Sequence, residues 1–345
     1  MRIGLRSRSR PASAVASSSV TVGKAPLVSV ITAAYNAASY LEETIESVLS
    51  QDYPLIEYLV HDDGSTDETP EIIARYGDRV RSRRHENMGE TNTVNKGFAL
   101  AQGELIGVVS ADDPLLPGIV TAMVEEFDRN PDVLVIYPDW DMIDDKGDFV
   151  QHITTYDYSY RDMVRWHHCV PGPGTFFRRS IVTQLGGRDP AFRYAGDVDF
   201  WFRAGLLGPF RRLPQTLARY RWHAGSTTLG QQGKAMASEH INMTEKLLAR
   251  QDLPIEIRRV RREAYSSAHW IAGVVVGDNN LKLRRSHYRR ALLLAPHKYL
   301  GEYRRTRLTP AILPALVPAR LLAAGRRFAN VGARLRGVHQ KVRRV

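Results

Sequence analysis

Apolar positions along this chain change rhythm between strand-like runs and helix-like periods. Leu27 to Ala33 is a nearly unbroken apolar run, the pattern of a strand buried on both faces, and Ala38 to Ser50 then repeats at helical spacing. Ile56 to Val60 reads as a strand, and Glu68 to Tyr76 as a helix with Ser65 and Glu68 placed as a capping box. Arg79 to His85 reads as an edge strand, Glu90 to Ala101 as a helix, Leu105 to Ser110 as a strand, Leu115 to Asp128 as a helix and Val133 to Tyr137 as a strand. Such regular succession predicts an α/β fold built on a single, mostly parallel, doubly wound sheet.

After Pro138 the rhythm breaks. Asp145-Lys146-Gly147-Asp148 is a turn signal between short β-like pieces, and the loop Val170-Pro171-Gly172-Pro173-Gly174 leads into Thr175-Phe176-Phe177. Past about residue 230 the chain reads as successive helices with Arg pairs. The expected organisation is a disordered basic arm over residues 1–25, a catalytic domain over 26–230 and a basic helical extension over 231–345.

Charge sharpens that division. The net charge is +11, yet residues 1–25 carry five Lys/Arg and no acid, and residues 258–345 carry 21 Lys/Arg against three acids, which leaves the body, 26–257, at −12. That polarity suits a body that handles metal ions and a tail that meets an anionic surface; specific nucleic-acid binding would place the basic patch around the site. Leu321, Phe328, Val331, Leu335, Val338 and Val342, opposed by Arg326, Arg327, Arg334 and Arg336, predict a basic amphipathic helix able to lie on an anionic membrane, weakened by Gly325, Gly332 and Gly337. One cysteine, Cys169, excludes an internal disulfide framework, and the best spanning candidate, Leu308 to Val317, is too short and contains Pro310 and Pro314. The expected location is cytoplasmic, with peripheral attachment at the inner face of a membrane. The Arg/Ser-rich arm also fits an organellar transit peptide by composition.

Two acidic clusters carry the chemistry: His61-Asp62-Asp63-Gly64-Ser65-Thr66-Asp67 and Ser110-Ala111-Asp112-Asp113. Each follows a short apolar strand, so its carboxylates emerge at strand C-terminal ends, where open α/β sheets bind ligands. Acids at such a turn can accept N–H bonds from a nucleobase, and acids and free amides together can support a ribose. Asp113 directly precedes Pro114 and reads as an N-cap with Pro at N1. Asp112 is then left without a capping task, and a free carboxylate there suits Mg²⁺ or Mn²⁺ bridging phosphates.

Val28-Ser29-Val30-Ile31-Thr32-Ala33-Ala34-Tyr35-Asn36, Leu41 to Gln51, Asp62 to Asp67, Asn87-Met88-Gly89, Asn95-Lys96-Gly97, Ala101-Gln102-Gly103-Glu104 and Ser110 to Asp113 together resemble family 2 inverting glycosyltransferases of the A-type nucleotide-sugar-binding fold. The likeness spans roughly residues 27–228. It implies that Thr32, Tyr35 and Asn36 line a uridine or other nucleoside pocket, that Asp62 or Asp63 reads the base, and that Asn95, Lys96 and Ser110 belong to the nucleotide-binding set. It implies that Asp112 holds a divalent metal, Mn²⁺ or Mg²⁺, on the diphosphate; Ser110 stands where the family's Asp-x-Asp signature has its first acid. Tyr194 to Arg203 resembles the segment that supplies the catalytic base, which makes Asp197 that base. Gly196 replaces the family's frequent Glu. Asp199 is the rival for base or acceptor contact, although its i,i+4 spacing from Arg203 also fits a surface ion pair. Arg219 to Thr227 resembles a strand and loop that closes over the diphosphate, with His223 as a metal ligand and Arg221 offsetting leaving-group charge.

The implied partners are a nucleotide-sugar donor, UDP-linked, and a glycan or lipid-linked acceptor. His167-His168-Cys169 lacks a second Cys/His pair at zinc spacing, so His168, beside the Pro/Gly loop, is read as an acceptor contact. Arg165-Trp166 resembles part of a motif of processive membrane synthases, but Asp162 replaces its Gln and the pair precedes the base segment. Two other readings stay open: a nucleotidyltransferase, whose Gly-rich loop the Ala33 to Asn36 turn lacks, and a catalytically silent nucleotide-sugar-binding scaffold, which Ser110 and Gly196 allow.

Overall fold

A computed structural model describes residues 25–223, 225 and 233–298; the basic arm before them and the amphipathic segment beyond Leu321 lie outside the described residues. In chain order the elements are β1 (Val28–Ala34), α1 (Leu41–Leu49), β2 (Ile56–Asp62), α2 (Thr69–Arg75), β3 (Arg81–Arg84), α3 (Glu90–Leu100), β4 (Leu105–Val108), α4 (Ile119–Arg129), β5 (Val135–Ile143) and β6 (Phe149–Ile153). They continue as α5 (Tyr160–Trp166), β7 (Phe176–Arg178), α6 (Ser180–Leu185), α7 (Gly196–Ala204), β8 (Phe210–Arg221), α8 (Gly233–Leu248), α9 (Ile255–Arg259), α10 (Arg261–Val276) and α11 (Leu281–Leu294).

Among the described residues one eight-stranded sheet runs in the order β3-β2-β1-β4-β7-β5-β6, with β8 paired to β5. The pairs among β1 to β4 are parallel, as is β5 with β8, whereas β7 and β6 run antiparallel to their neighbours. Alternate residues of each central strand feed opposite faces. Val28, Val30, Tyr58, Val60, Leu105 and Phe176 pack under α1, α2 and α4, whereas Ile31, Leu59, Ile106 and Phe177 pack under α3 and α7. Each such fully buried aliphatic side chain contributes about 1.5–3 kcal/mol of transfer free energy. The second cluster also takes in Met243, Leu247 and Leu248 of α8, Leu253, Ile257 of α9 and Ala264 of α10. α8, α9 and the start of α10 therefore share the sheet's own core.

The mostly parallel α/β sheet matches the reading from periodicity, with three local differences. The strand expected to end at Tyr137 continues through Pro138 to Ile143, because β8 pairs along its whole length and shifts register on either side of Asp139. Pro138 costs little there, at a position where the ladder is already irregular. Asp139 to Asp141 therefore lies within β5, and Asp139 is committed to Arg212 and Thr155. Asp113 and Pro114 do not start a helix. Leu115 bridges to Ala218, and α4 begins only after Gly118, which is left-handed. Nor do Ser65 and Glu68 form a capping box: Glu68 makes no side-chain cap bond, and Ser65 turns to the end of β1.

Candidate active site

β1 and β2 end side by side, Ala34 opposite Asp62, and the loops beyond them are sewn together. The Asn36 amide N–H donates to Ser65 Oγ (3.0 Å), and the Asn36 carboxamide oxygen accepts the Thr66 N–H (2.8 Å). Asp67 accepts from Ala38 (3.0 Å) and Thr69 (3.1 Å), which holds its carboxyl below the usual value. Asn36 is left-handed, φ 48°, a conformation Asn tolerates. Gly64, at φ 77°, is needed where it stands: a Cβ there would lie 2.8 Å from the Asn87 backbone nitrogen.

The two acids of the first cluster are not equivalent. Asp63 spends both oxygens on backbone, from Met88 (2.7 Å) and Gly89 (2.9 Å), and so fixes the loop that opens α3. Asp62 accepts the Ser65 N–H at 2.9 Å with Oδ1, while Oδ2 faces Arg84 Nε at 3.0 Å without an aligned hydrogen bond. Asp62 thus keeps one oxygen that is held by an ion pair alone, a difference from Asp63 that the sequence did not assign. Tyr35 is half exposed at the mouth of this turn. Thr32, expected in the pocket, is wholly buried and its hydroxyl bonds Tyr58 at 3.0 Å. Asn95, also expected at the nucleotide, instead clasps the Arg188 backbone, accepting its N–H and donating to its carbonyl, both at 2.8 Å. Lys96 is exposed on α3.

The second cluster meets the end of β8. His223 Nε2 lies 2.9 Å from Asp112 Oδ2, and the His223 ring rests against Tyr40 at 4.8 Å. Asp113, buried, accepts the Arg221 N–H at 2.8 Å instead of capping a helix. Burial and then the neighbouring Asp112 push its carboxyl well up, partly offset by the Arg221 N–H and the Ser110 hydroxyl. A carboxylate in place of Ser110 would face an already unfavourable acid, which gives the departure from Asp-x-Asp a physical reason. Arg221, expected to offset leaving-group charge, is only 2% exposed and fully engaged. Its guanidinium binds Glu43, the carbonyls of Asp112 (3.1 Å) and Asp144 (3.2 Å), and lies 4.7 Å over the Tyr40 ring. It braces Asp112 from behind. Neither Tyr40 nor Glu43 carried any sequence signal for this role, because their partners lie far along the chain.

Among the described residues no group of three His, Cys, Asp or Glu is arranged around one metal position. The Asp112–His223 pair, 27% and 14% exposed, fits a hard cation whose other ligands are phosphate oxygens and water.

Asp197 is in the first turn of α7. Burial raises its carboxyl above the usual aspartate value, Arg188 pulls it down and Glu90 pushes it up. A half-buried carboxyl with raised affinity for a proton, at a helix N-terminus on this sheet edge, is suited to general-base chemistry. Asp199, two positions on, points about 200° around the helix. It is 4% exposed and paired with Arg203 at 2.7 Å, so the ion-pair reading describes it and an acceptor contact does not. His168 is exposed and stacks on Tyr156 (5.6 Å, 16°) and Trp166 (6.4 Å, 27°). Tyr156 keeps 69% of its surface in solvent. Burial pushes the thiol of Cys169, the next residue, well up, and the Asp197 carboxylate adds to the rise while Arg188 opposes it.

Residues 29–186 match Glycosyl transferase family 2. An uncharacterized glycosyltransferase of Nostoc sp. is 28% identical over 313 residues, covering 79% of this chain and 96% of the relative. S. aureus TarS 1–349, solved with UDP-GlcNAc, superposes with a TM-score of 0.58 at 18% identity over 81% of this chain and 91% of that one. The mannosyltransferase PcManGT of Pyrobaculum calidifontis, solved with GDP-Man and Mn²⁺, gives 0.55 at 18% identity, covering 85% and 86%. At such identity the structures speak for the fold alone. The part of the chain over residues 29–186, β1 to α6, is thus a family 2 glycosyltransferase domain by its family match, and the fold is the A-type nucleotide-sugar-binding fold.

Proposed function

We propose that this protein is a nonprocessive inverting glycosyltransferase. It moves a sugar from a nucleotide-sugar, UDP-linked, to a hydroxyl of a polysaccharide, glycolipid or glycoprotein acceptor. The observation that carries this reading is Asp197, a half-buried carboxyl with a raised pKa at the edge where both acidic clusters emerge. Asp62 reads the base through the oxygen that lacks an aligned donor, with Tyr35 beside it. Asp112 and His223 would hold Mn²⁺ or Mg²⁺. When bound, the cation neutralises charge on the departing diphosphate. The uridine donor seen with TarS and the Mn²⁺ seen with PcManGT support this assignment.

Asp197 takes the acceptor hydroxyl's proton while the oxygen attacks the anomeric carbon opposite the diphosphate. The new C–O bond forms as the bond to the diphosphate breaks, so configuration inverts, and Asp197 later gives its proton to solvent. The exposed Tyr156–His168 stack offers the acceptor an apolar ring face.

A thermal-shift screen of nucleoside diphosphates and nucleotide-sugars, with and without Mn²⁺, defines the donor; stabilisation by uridine compounds that Mn²⁺ strengthens is expected. With that donor, Asp197→Asn should lower transfer by about 10²–10⁴-fold with little change in donor binding. Undiminished transfer removes Asp197 as base, and a wild type that binds donors but transfers from none leaves the scaffold reading.

A further inference from the structure

The stretch Phe192–Ala195 leads into the first turn of α7, where Asp197 stands, and it is gripped from α8; both lie beyond the family-matched residues 29–186. Glu239, on α8, accepts three successive backbone N–H groups: Arg193 on Oε1 (3.0 Å), and Tyr194 (2.8 Å) and Ala195 (2.9 Å) on Oε2. Consecutive amides converging on one carboxylate form an anion nest, here placed immediately before the first turn of α7.

The opposite side of the stretch is pinned to α3. Thr91 Oγ1 donates to the Phe192 carbonyl (2.7 Å), and Arg193 donates to the Asn87 side chain (3.1 Å), in the loop that Asp63 also organises. Gly196 approaches Thr91 so closely that any Cβ there would collide with the hydroxyl, so no side chain of its own can steer this turn. Position is imposed from outside, by Thr91 on one flank and Glu239 on the other. The same helix reaches the acceptor-side loop as well: His240, next to Glu239, bonds His167 at 2.9 Å, one residue from His168.

We propose that Glu239 is a positioning residue for the base, and that α8 is thereby part of the catalytic apparatus. Its carboxylate fixes the three amides ahead of α7, and so sets the distance and angle at which Asp197 meets the acceptor hydroxyl. Misplacement of a reacting group by about 1 Å can cost on the order of 10²-fold in rate. This assignment rests on the reading of Asp197 as the base.

The test uses the full chain and Glu239→Gln, which keeps side-chain length but removes the negative charge and one acceptor oxygen, with Glu239→Asp as a shorter carboxylate. Hydrogen exchange of the Arg193–Ala195 amides needs no substrate: exchange at least tenfold faster in both variants is expected, and wild-type protection in both overturns the clamp. Steady-state transfer, with the donor found by thermal shift and below the melting range of each variant, should show kcat about 10–100-fold lower for Glu239→Gln, donor KM within twofold, and partial recovery in Glu239→Asp. A purely structural role would lower the melting temperature and leave kcat of the folded protein alone, which overturns the proposal. Asp197→Asn separates the two levels. If it is inactive while Glu239→Gln turns over like wild type, the positioning role fails alone; if it transfers normally, the base assignment fails and the positioning role with it.

Discussion

Arg221 offers the sharpest test of what tertiary structure adds. Its place after a late strand makes it look like a cation for the leaving diphosphate, yet its guanidinium is spent inside the protein. Arg221→Ala would strand the carbonyls of Asp112 and Asp144, each worth about 1–2 kcal/mol when the donor is charged, and remove a stacked cation from Tyr40 worth about 1 kcal/mol. The Glu43 pair adds little, because Glu43 is 47% exposed and rehydrates when released. A loss of about 3–5 kcal/mol follows, which is roughly 6–10 °C in melting temperature. Calorimetry of Arg221→Ala and Arg221→Lys checks it; lysine, a point charge without the planar fork, should recover less than half. A melting curve unchanged within about 1 °C, together with a large fall in kcat, would refute the bracing role and restore the leaving-group role.

Gly64→Ala forces a side chain at φ 77° and against the Asn87 backbone, so it should cost at least about 2 kcal/mol and weaken nucleotide binding more than tenfold; calorimetry and nucleotide titration read both. His240 has its pKa lowered to about 4 by burial, so the native state binds fewer protons than the unfolded chain between about pH 6.5 and 4, and stability falls as pH drops through that window. His240→Phe should flatten that fall by on the order of 2 kcal/mol, measured as denaturation midpoints from pH 7 to 4.5. Deleting residues 310–345 should release the protein from vesicles rich in anionic lipid while sparing transfer to a soluble acceptor. Co-sedimentation that persists unchanged would overturn the reading of this tail as a membrane attachment.

Periodicity was enough for most elements up to Tyr137, because β1, β2 and β4 are buried on both faces and the helices between them on one, and burial writes itself into residue type. Ordered motifs were enough for the family and for the edge of the sheet on which chemistry resides. Local rules misled where a distant partner outbid them. Asp113-Pro114 has every mark of a helix start, yet the β8 backbone takes the carboxyl and Leu115 is drawn into a bridge. Asn95 looked free for a ligand until the Arg188 backbone arrived from 93 residues away.

The amino-acid sequence by itself determined that this chain folds around a mostly parallel α/β sheet and that its acids gather at strand ends, since both follow from pattern and spacing along the chain; the glycosyltransferase reading came from the resemblance of its motifs to a known family. Which oxygens the backbone takes is another matter. That Asp63 gives it both while Asp62 leaves one to an ion pair, that Arg221 braces and His223 faces Asp112, and that Glu239 reaches the turn before Asp197 were decided only in three dimensions. Hydrogen-bonding capacity is finite and is allotted by whichever groups packing brings within about 3 Å, a distance that separation in sequence does not reveal.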